Sequence, residues 1–145
     1  MTLEDKKLLT RIYQDARVGA LGCQEVLKKC TNPSFKEVIS NQMKEYTSVY
    51  EKCLEIAKLD GTKLPDNSFF KKMKQIVMIN MGLLFKETDR RIAEMMITGT
   101  IMGIIDVIKA IYDLDKAGKE IMDLAKKQQL IQEKYLENLK SYLEG

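Results

Sequence analysis

The sequence predicts an all-α fold, an antiparallel four-helix bundle made of two related hairpins joined by a long crossover that carries a short extra helix. Apolar residues recur every three or four positions over four long segments, which is the period of a helix with one buried face. No segment alternates like a half-buried strand, and 2 Pro and 8 Gly in 145 residues are few for a protein built from many turns. With 45% apolar residues, the chain can form one packed core. We therefore treat residues 1–145 as a single domain.

The first predicted hairpin contains helices at about 3–30 and 33–59. Asn32 can cap the second helix with its side-chain oxygen, and Pro33 suits the first helical position, where an N–H would have no intrahelical partner. Gly61 can adopt the left-handed conformation that often follows a helix. These signals place the two helix ends and the turn between them.

The second half contains a short crossover helix and a second predicted hairpin, with helices at about 69–85, 89–112 and 116–143. Thr88 can cap the helix that starts at 89, and Asp113 or Asp115 can cap the last helix. Because the long helices are joined by short turns, they are expected to pack as antiparallel neighbours.

An internal repeat relates the two hairpins. Residues 22–28 (GCQEVLK) match residues 103–109 (GIIDVIK), and residues 51–55 (EKCLE) match residues 133–137 (EKYLE). The first match is offset by 81 residues and the second by 82. The matched segments fall at equivalent places on the first and third long helices and on the second and fourth. The repeat supports two related hairpins.

Composition excludes several classes of function. The chain has no His, which removes the commonest general acid or base, triad partner and metal ligand. A net charge of +3 is too small for a general nucleic-acid binder. The three cysteines form no Cys-x-x-Cys pair and are expected to be reduced. The acidic N-terminus lacks a signal peptide's apolar run, and the apolar stretch 95–105 is shorter than the roughly 18 residues a membrane-spanning helix needs. We expect a cytoplasmic protein.

Three carboxylates are candidate metal ligands: Glu25, Glu94 and Asp106. Within residues 92–108 the only charged residues are Glu94 and Asp106, so this helix is expected to be buried nearly all round. The two carboxylates lie about 18 Å apart along the helix and do not share one ion. Counting across the hairpin turn places Glu94 near Gln132, which could satisfy it by hydrogen bonding. We predict no cofactor, and keep iron or manganese at these carboxylates as the alternative.

The crossover helix presents Lys71, Lys72 and Lys74 beside apolar residues. Such a helix can lie on an anionic membrane, although packing over the bundle with the lysines in solvent is the simpler interpretation. The pair Gly99 and Gly103 indicates close helix packing, with a ligand groove as the alternative.

Residues 92–106 (IAEMMITGTIMGIID), preceded by a helix that carries Met and Lys, resemble a group of uncharacterised small clostridial proteins. The hairpin–crossover–hairpin plan, over residues 8–143, is similar to the ferritin-like superfamily, including its bacterial spore-coat-associated branches. The resemblance implies the ferritin-like fold. It does not imply ferroxidase or oxygenase activity, because the superfamily's Glu-x-x-His pairs have no counterpart here.

These observations favour a non-enzymatic ferritin-like bundle that acts by binding a protein partner or by forming a homo-oligomer. The first alternative is a divergent metal-binding or redox protein that uses the buried carboxylates. The second alternative is a peripheral membrane protein that binds through the basic crossover helix.

Overall fold

The computed structural model describes residues 1–65, 67–82 and 88–144, without the side chains of residues 67–70 and 80–82. Within these ranges the chain is helical and contains no strand, which confirms the predicted all-α class. The helices are α1 (Leu3–Leu27), α2 (Pro33–Asp60), α3 (Asn67–Gly82), α4 (Asp89–Asp113) and α5 (Lys119–Lys140), and a 3-10 turn follows at Ser141–Glu144. The predicted extension of the crossover helix over 83–85 lies outside the described residues.

The predicted caps of the first hairpin are present. The Oδ1 atom of Asn32 accepts hydrogen bonds from the N–H groups of Ser34 at 2.9 Å and Phe35 at 3.2 Å. Gly61 has a φ of +73°, a conformation that glycine adopts without steric cost. α1 ends at Leu27, earlier than predicted, because the N–H groups of Lys28 and the next residue bond to carbonyls three residues back.

α5 begins at Lys119, three residues after its predicted start, and neither Asp113 nor Asp115 caps it. Gly118 precedes the helix and makes no side-chain cap bond. Instead, the Gly118 N–H donates to Asp5 Oδ1 at 2.6 Å. The start of α1 therefore supplies the acceptor that the turn before α5 lacks in its own sequence.

Within each half of the chain, consecutive long helices pack along each other: α1 with α2 and α4 with α5. The rings of Tyr13 and Tyr50 meet edge to face with centroids 6.4 Å apart, and Gly19 lies against Tyr46. Since the residue number rises along one helix as it falls along the other, α1 and α2 run antiparallel.

Contacts between the halves orient α1 and α4. The Arg11 guanidinium bonds to the Asp106 carboxylate, and Cys30 Sγ lies 3.6 Å from Asp89 Oδ1. These pairs make α1 antiparallel to α4, so α2 and α4 point the same way. Between α2 and α4 in the chain, α3 packs against α1.

α4 is not buried nearly all round, so that expectation is wrong. Its buried residues are Ile92, Ala93, Met96, Thr100, Val107 and Ala110. Its extensive contacts are with α1, α5 and the 3-10 turn, which together cover one side and leave apolar residues on the other. α4 is long and apolar enough to cross a membrane, with a mean hydropathy of 1.5 over its best 18-residue window, of which 17% is buried. Core helices of soluble proteins can be as long and as apolar, but they are mostly buried.

Candidate functional site

A cavity of about 960 Å³ opens between α1, α3 and α4 and reaches α2 and α5 on its inner side. Cavities of about 300–1,000 Å³ are the usual size of small-molecule sites. The apolar side chains on its wall are Val18, Val26, Met73, Val77, Met95, Met96 and Met102. Four glycines of α1 and α4, namely Gly19, Gly22, Gly99 and Gly103, complete the wall.

The four glycines serve two different purposes. A Cβ added at Gly19 would lie 2.8 Å from the Tyr46 ring, and one at Gly103 would lie 2.6 Å from Gln132 Nε2. A Cβ added at Gly22 or Gly99 would meet nothing within 4 Å. The close packing predicted for the pair on α4 therefore holds at Gly103, whereas Gly99 and Gly22 leave open space along the cavity.

The inner wall of the cavity is polar. Gln42 Nε2 donates to the Tyr46 hydroxyl at 3.1 Å. Gln42 is 1% exposed and Gln132 is 3% exposed, and the Oε1 atom of each has no hydrogen-bond partner among the residues that the structure describes. A buried acceptor left without a donor costs about 1–3 kcal/mol. The wall thus combines apolar surface with acceptors that lack donors.

Two carboxyl groups whose pKa values are shifted in opposite directions, Asp15 and Asp106, line the same cavity. Arg11 Nε donates to Asp106 Oδ2 at 2.9 Å, and its Nη2 donates to Oδ1. The hydrogen bond from Arg11 holds the pKa of Asp106 below its usual value. Burial, the hydrogen bond to Asp106 and the charge of Asp106 together raise the pKa of Asp15 to about 8. Asp15 therefore retains a proton at neutral pH and shares it with Asp106.

The structure places the three predicted metal candidates at separate positions. Glu25 is buried on α1, and Lys28 Nζ contacts both its carboxylate oxygens at 3.0 and 3.1 Å. Glu94 is exposed and lies 3.3 Å from Arg91. Its predicted level beside Gln132 is wrong, because Gly103 occupies that level.

No group of three His, Cys, Asp or Glu residues that could hold a metal ion occurs in the part of the chain that the structure describes. The three cysteines at 23, 30 and 53 are buried and free.

The predicted surface lysines, Lys71, Lys72 and Lys74, are exposed on α3. One turn further along, the same helix exposes Ile76 by 45%, Met78 by 50% and Ile79 by 65%. Met73 and Val77 are half-buried and reach the cavity. α3 thus covers the cavity with one side and presents lysines and apolar side chains with the other.

An apolar surface runs along the solvent side of α4, and we call it the α4 face. It consists of Ile101, Ile105, Ile108 and Tyr112, which are 41%, 51%, 45% and 81% exposed. Their spacing of four, three and four residues keeps them within roughly a quarter turn of the helix circumference. Scattered exposed apolar residues are normal in a protein, but a contiguous row is typical of an interaction surface.

Asp15 lies on the cavity wall and was not among the predicted site residues. A signal for it exists, because Asp15 and Gly19, both half-buried, follow the buried Ile12 at helical spacing on α1. An acid inside an apolar stripe needs a partner from another helix. The α4 face was missed because the apolar residues of α4 were all assigned to the core.

No protein-family model, no curated protein and no solved structure matches this chain.

Proposed function

We propose that this protein is a non-enzymatic, cytoplasmic ferritin-like bundle that acts by self-association through the α4 face. The antiparallel pairing of α1 with α2 and with α4 supports this fold, since it requires the long connection at 61–88 that the ferritin-like plan carries. The three free cysteines agree with a reducing compartment.

The observation that carries self-association is the spacing of the α4 face. Ile101, Ile105, Ile108 and Tyr112 follow the alternation of four and three residues by which the apolar positions of paired helices repeat. A second copy of α4 presents the same row, so a two-fold symmetric dimer buries both rows with one surface. Such dimers are the commonest soluble oligomers.

The test is the molar mass of the full chain in solution, measured by sedimentation equilibrium over a range of concentrations. We expect a dimer for the natural chain and a monomer for Ile105→Glu/Ile108→Glu, because two charges within the row oppose burial. The matched control is Leu130→Glu, which places the same charge at a single side chain of α5 that is 65% exposed. This control should remain dimeric.

A monomeric natural chain would exclude the proposal. So would a double variant that associates as strongly as the natural chain. Circular dichroism of each variant separates loss of association from loss of fold, since a folded variant keeps its helical signal.

A second candidate function is binding to an anionic membrane surface through α3. It is favoured by the three exposed lysines that precede Ile76, Met78 and Ile79 on that helix, a combination suited to a lipid interface. The test is co-sedimentation with vesicles that contain anionic lipid. Binding should fall when Lys71, Lys72 and Lys74 are replaced by Gln, and binding to neutral vesicles should be weaker at the same salt concentration.

Metal analysis of the untagged protein tests the absence of a cofactor. We expect substoichiometric iron and manganese. One ion per chain that disappears in Glu25→Gln or Asp106→Asn would instead support the divergent metal-binding alternative.

A further inference from the structure

We propose that the cavity between α1, α3 and α4 binds a small amphiphile, with an apolar chain along the methionine-rich wall and a protonated primary amine at the polar inner wall. The site is separate from the α4 face, and it stands whether or not the protein self-associates.

The outer wall of the cavity is suited to an apolar chain. Met73 and Val77 of α3 and Met95 and Met102 of α4 line it. Methionine side chains are unbranched and adapt to the shape of what they contact. Gly22 and Gly99 add length to the same wall without filling it. A flexible hydrocarbon chain is therefore a better match than a rigid ring system.

The inner wall determines the head group. Four buried oxygens have no hydrogen-bond partner among the described residues: Gln128 Oε1, which lies away from the cavity, and Gln42 Oε1, Gln132 Oε1 and Asp15 Oδ2. The last three belong to residues of the cavity wall. Because all three are acceptors, the missing group is a donor. An ammonium group carries three N–H donors and no acceptor, so it can donate to such oxygens, whereas a carboxylate offers them only further acceptors.

The charged side chains of the cavity wall also favour an ammonium head group. The other charged side chains on the wall are Arg11, Arg91, Glu94 and Asp106, and they form two ion pairs, Arg11–Asp106 and Arg91–Glu94. Tyr46 of α2 and Gln132 of α5 add no charge, and Met73 and Val77 of α3 are apolar. Asp15 is the remaining acid. A cationic head replaces the proton on Asp15 and compensates its charge, whereas an anionic head would have to displace a carboxylate from an arginine.

This replacement makes binding pH-dependent. At neutral pH the incoming ammonium must release the proton of Asp15, while an alkyl ammonium keeps its own proton up to a pH of about 10. Affinity for the amine should therefore rise by about tenfold from pH 6 to pH 7 and level off above pH 8. Affinity for a neutral alcohol of the same chain length should stay constant over that range.

The experiment measures binding of octylamine, octanol and octanoate to the full chain by calorimetry, below their aggregation concentrations. These probes share one apolar chain and differ in the head group. We expect octylamine to bind about tenfold more tightly than octanol at pH 8, and octanoate to bind most weakly. Asp15→Asn should remove the preference for the amine and its pH dependence, while octanol binding remains.

Substitutions at Gly22 test the location. Gly22→Leu should weaken binding of all three probes because its side chain projects into the open space beside Gly22. Gly22→Ala adds one carbon into open space and should retain binding. Ile105→Glu/Ile108→Glu should bind octylamine as the natural chain does, which separates the cavity from adsorption on the α4 face.

Equal or tighter binding of octanoate would overturn the proposal. It would also be overturned by an absence of octylamine binding, by binding that is unchanged in a folded Gly22→Leu variant, or by binding that is lost in the α4-face variant. A monomeric natural chain would contradict the proposed self-association alone and leave these outcomes unchanged.

Discussion

Asp15 and Asp106 show how two identical carboxyl groups acquire opposite properties from their surroundings. Asp106 is half-buried and receives a two-pronged hydrogen bond from Arg11, which favours its charged form. Asp15 is more deeply enclosed and faces the charge of Asp106, so its neutral form is favoured. The pair therefore holds one negative charge at neutral pH, balanced by one guanidinium.

The raised pKa of Asp15 predicts a stability that falls as pH rises. The folded state keeps a proton up to a pH of about 8, whereas the unfolded chain loses it near the ordinary value of 3.8. Between these values the folded state binds the additional proton, so the free energy of unfolding decreases by about 1.4 kcal/mol per pH unit from this group.

Asp15→Asn should remove this slope, because Asn cannot lose a proton in this range. The measurement is urea unfolding of the natural chain and the variant at pH 5, 6 and 7. Asp5, Asp60 and Asp106 have lowered pKa values and act below this window. Asp115→Asn, at an exposed position, is the control and should keep the slope. Parallel pH profiles for the natural chain and Asp15→Asn would contradict the assignment.

At the scale of the element, α1 carries two glycines one turn apart with different roles. Gly19 allows α2 to approach so closely that its Tyr46 ring would collide with a Cβ, while Gly22 faces open space. A glycine inside a helix is less favourable than alanine by about 0.5–1 kcal/mol. Gly19 offsets this cost with a helix contact, whereas no described contact offsets it at Gly22.

Gly22→Ala should therefore raise the free energy of unfolding by about 0.5–1 kcal/mol. Gly19→Ala should lower it by about 1–3 kcal/mol, because the buried Tyr46 ring has to move. Urea unfolding of the two variants measures both changes. The comparison is direct because the same substitution is made twice in α1. An increase in the free energy of unfolding at both positions would show that helix propensity, and not the contact with α2, dominates.

The sequence predicts the helices and those of their ends that depend on local residues. Asn32 and Gly61 identify helix ends from local hydrogen bonding and backbone conformation, which do not depend on the rest of the fold. The start of α5 is different, since Gly118 is held by Asp5 from the far end of the chain. The periodicity of α4 indicates a helix, but it does not reveal which apolar side lacks a neighbour.

The candidate site depends even more on tertiary contacts. Gly99 and Gly103 are alike in sequence, and only the position of Gln132 distinguishes a contact from a cavity wall. The importance of Asp15 follows from Asp106, which lies on another helix. A sequence pattern within one helix does not contain that information.

At the scale of the whole molecule, the reaction rates of the three buried thiols depend on which parts of the structure unfold first. Burial raises the pKa of Cys23 and Cys53 to about 12 and that of Cys30 to about 11. Thiolate, the reactive form, is therefore scarce in the folded state. Cys30 lies just beyond the end of α1, whereas Cys23 and Cys53 lie inside α1 and α2.

We expect Cys30 to react first with iodoacetamide at pH 8, through opening of the end of α1, and Cys23 and Cys53 to react together only when the hairpin unfolds. Mass spectrometry of peptides from timed reactions measures the three rates. In concentrated urea the rates should become similar. Modification of Cys23 or Cys53 ahead of Cys30 would contradict the order of opening.

The common direction of α2 and α4 has a consequence for how the chain folds. Contacts between α1 and α2, and between α4 and α5, join residues close in sequence, so each pair can form early and independently. Arg11 and Asp106, in contrast, can meet only after the connection at 61–88 has closed into a loop, at an entropic cost set by its length. Association of the two pairs is then the slow step of folding, and a shorter or stiffer connection that still spans the molecule would accelerate it.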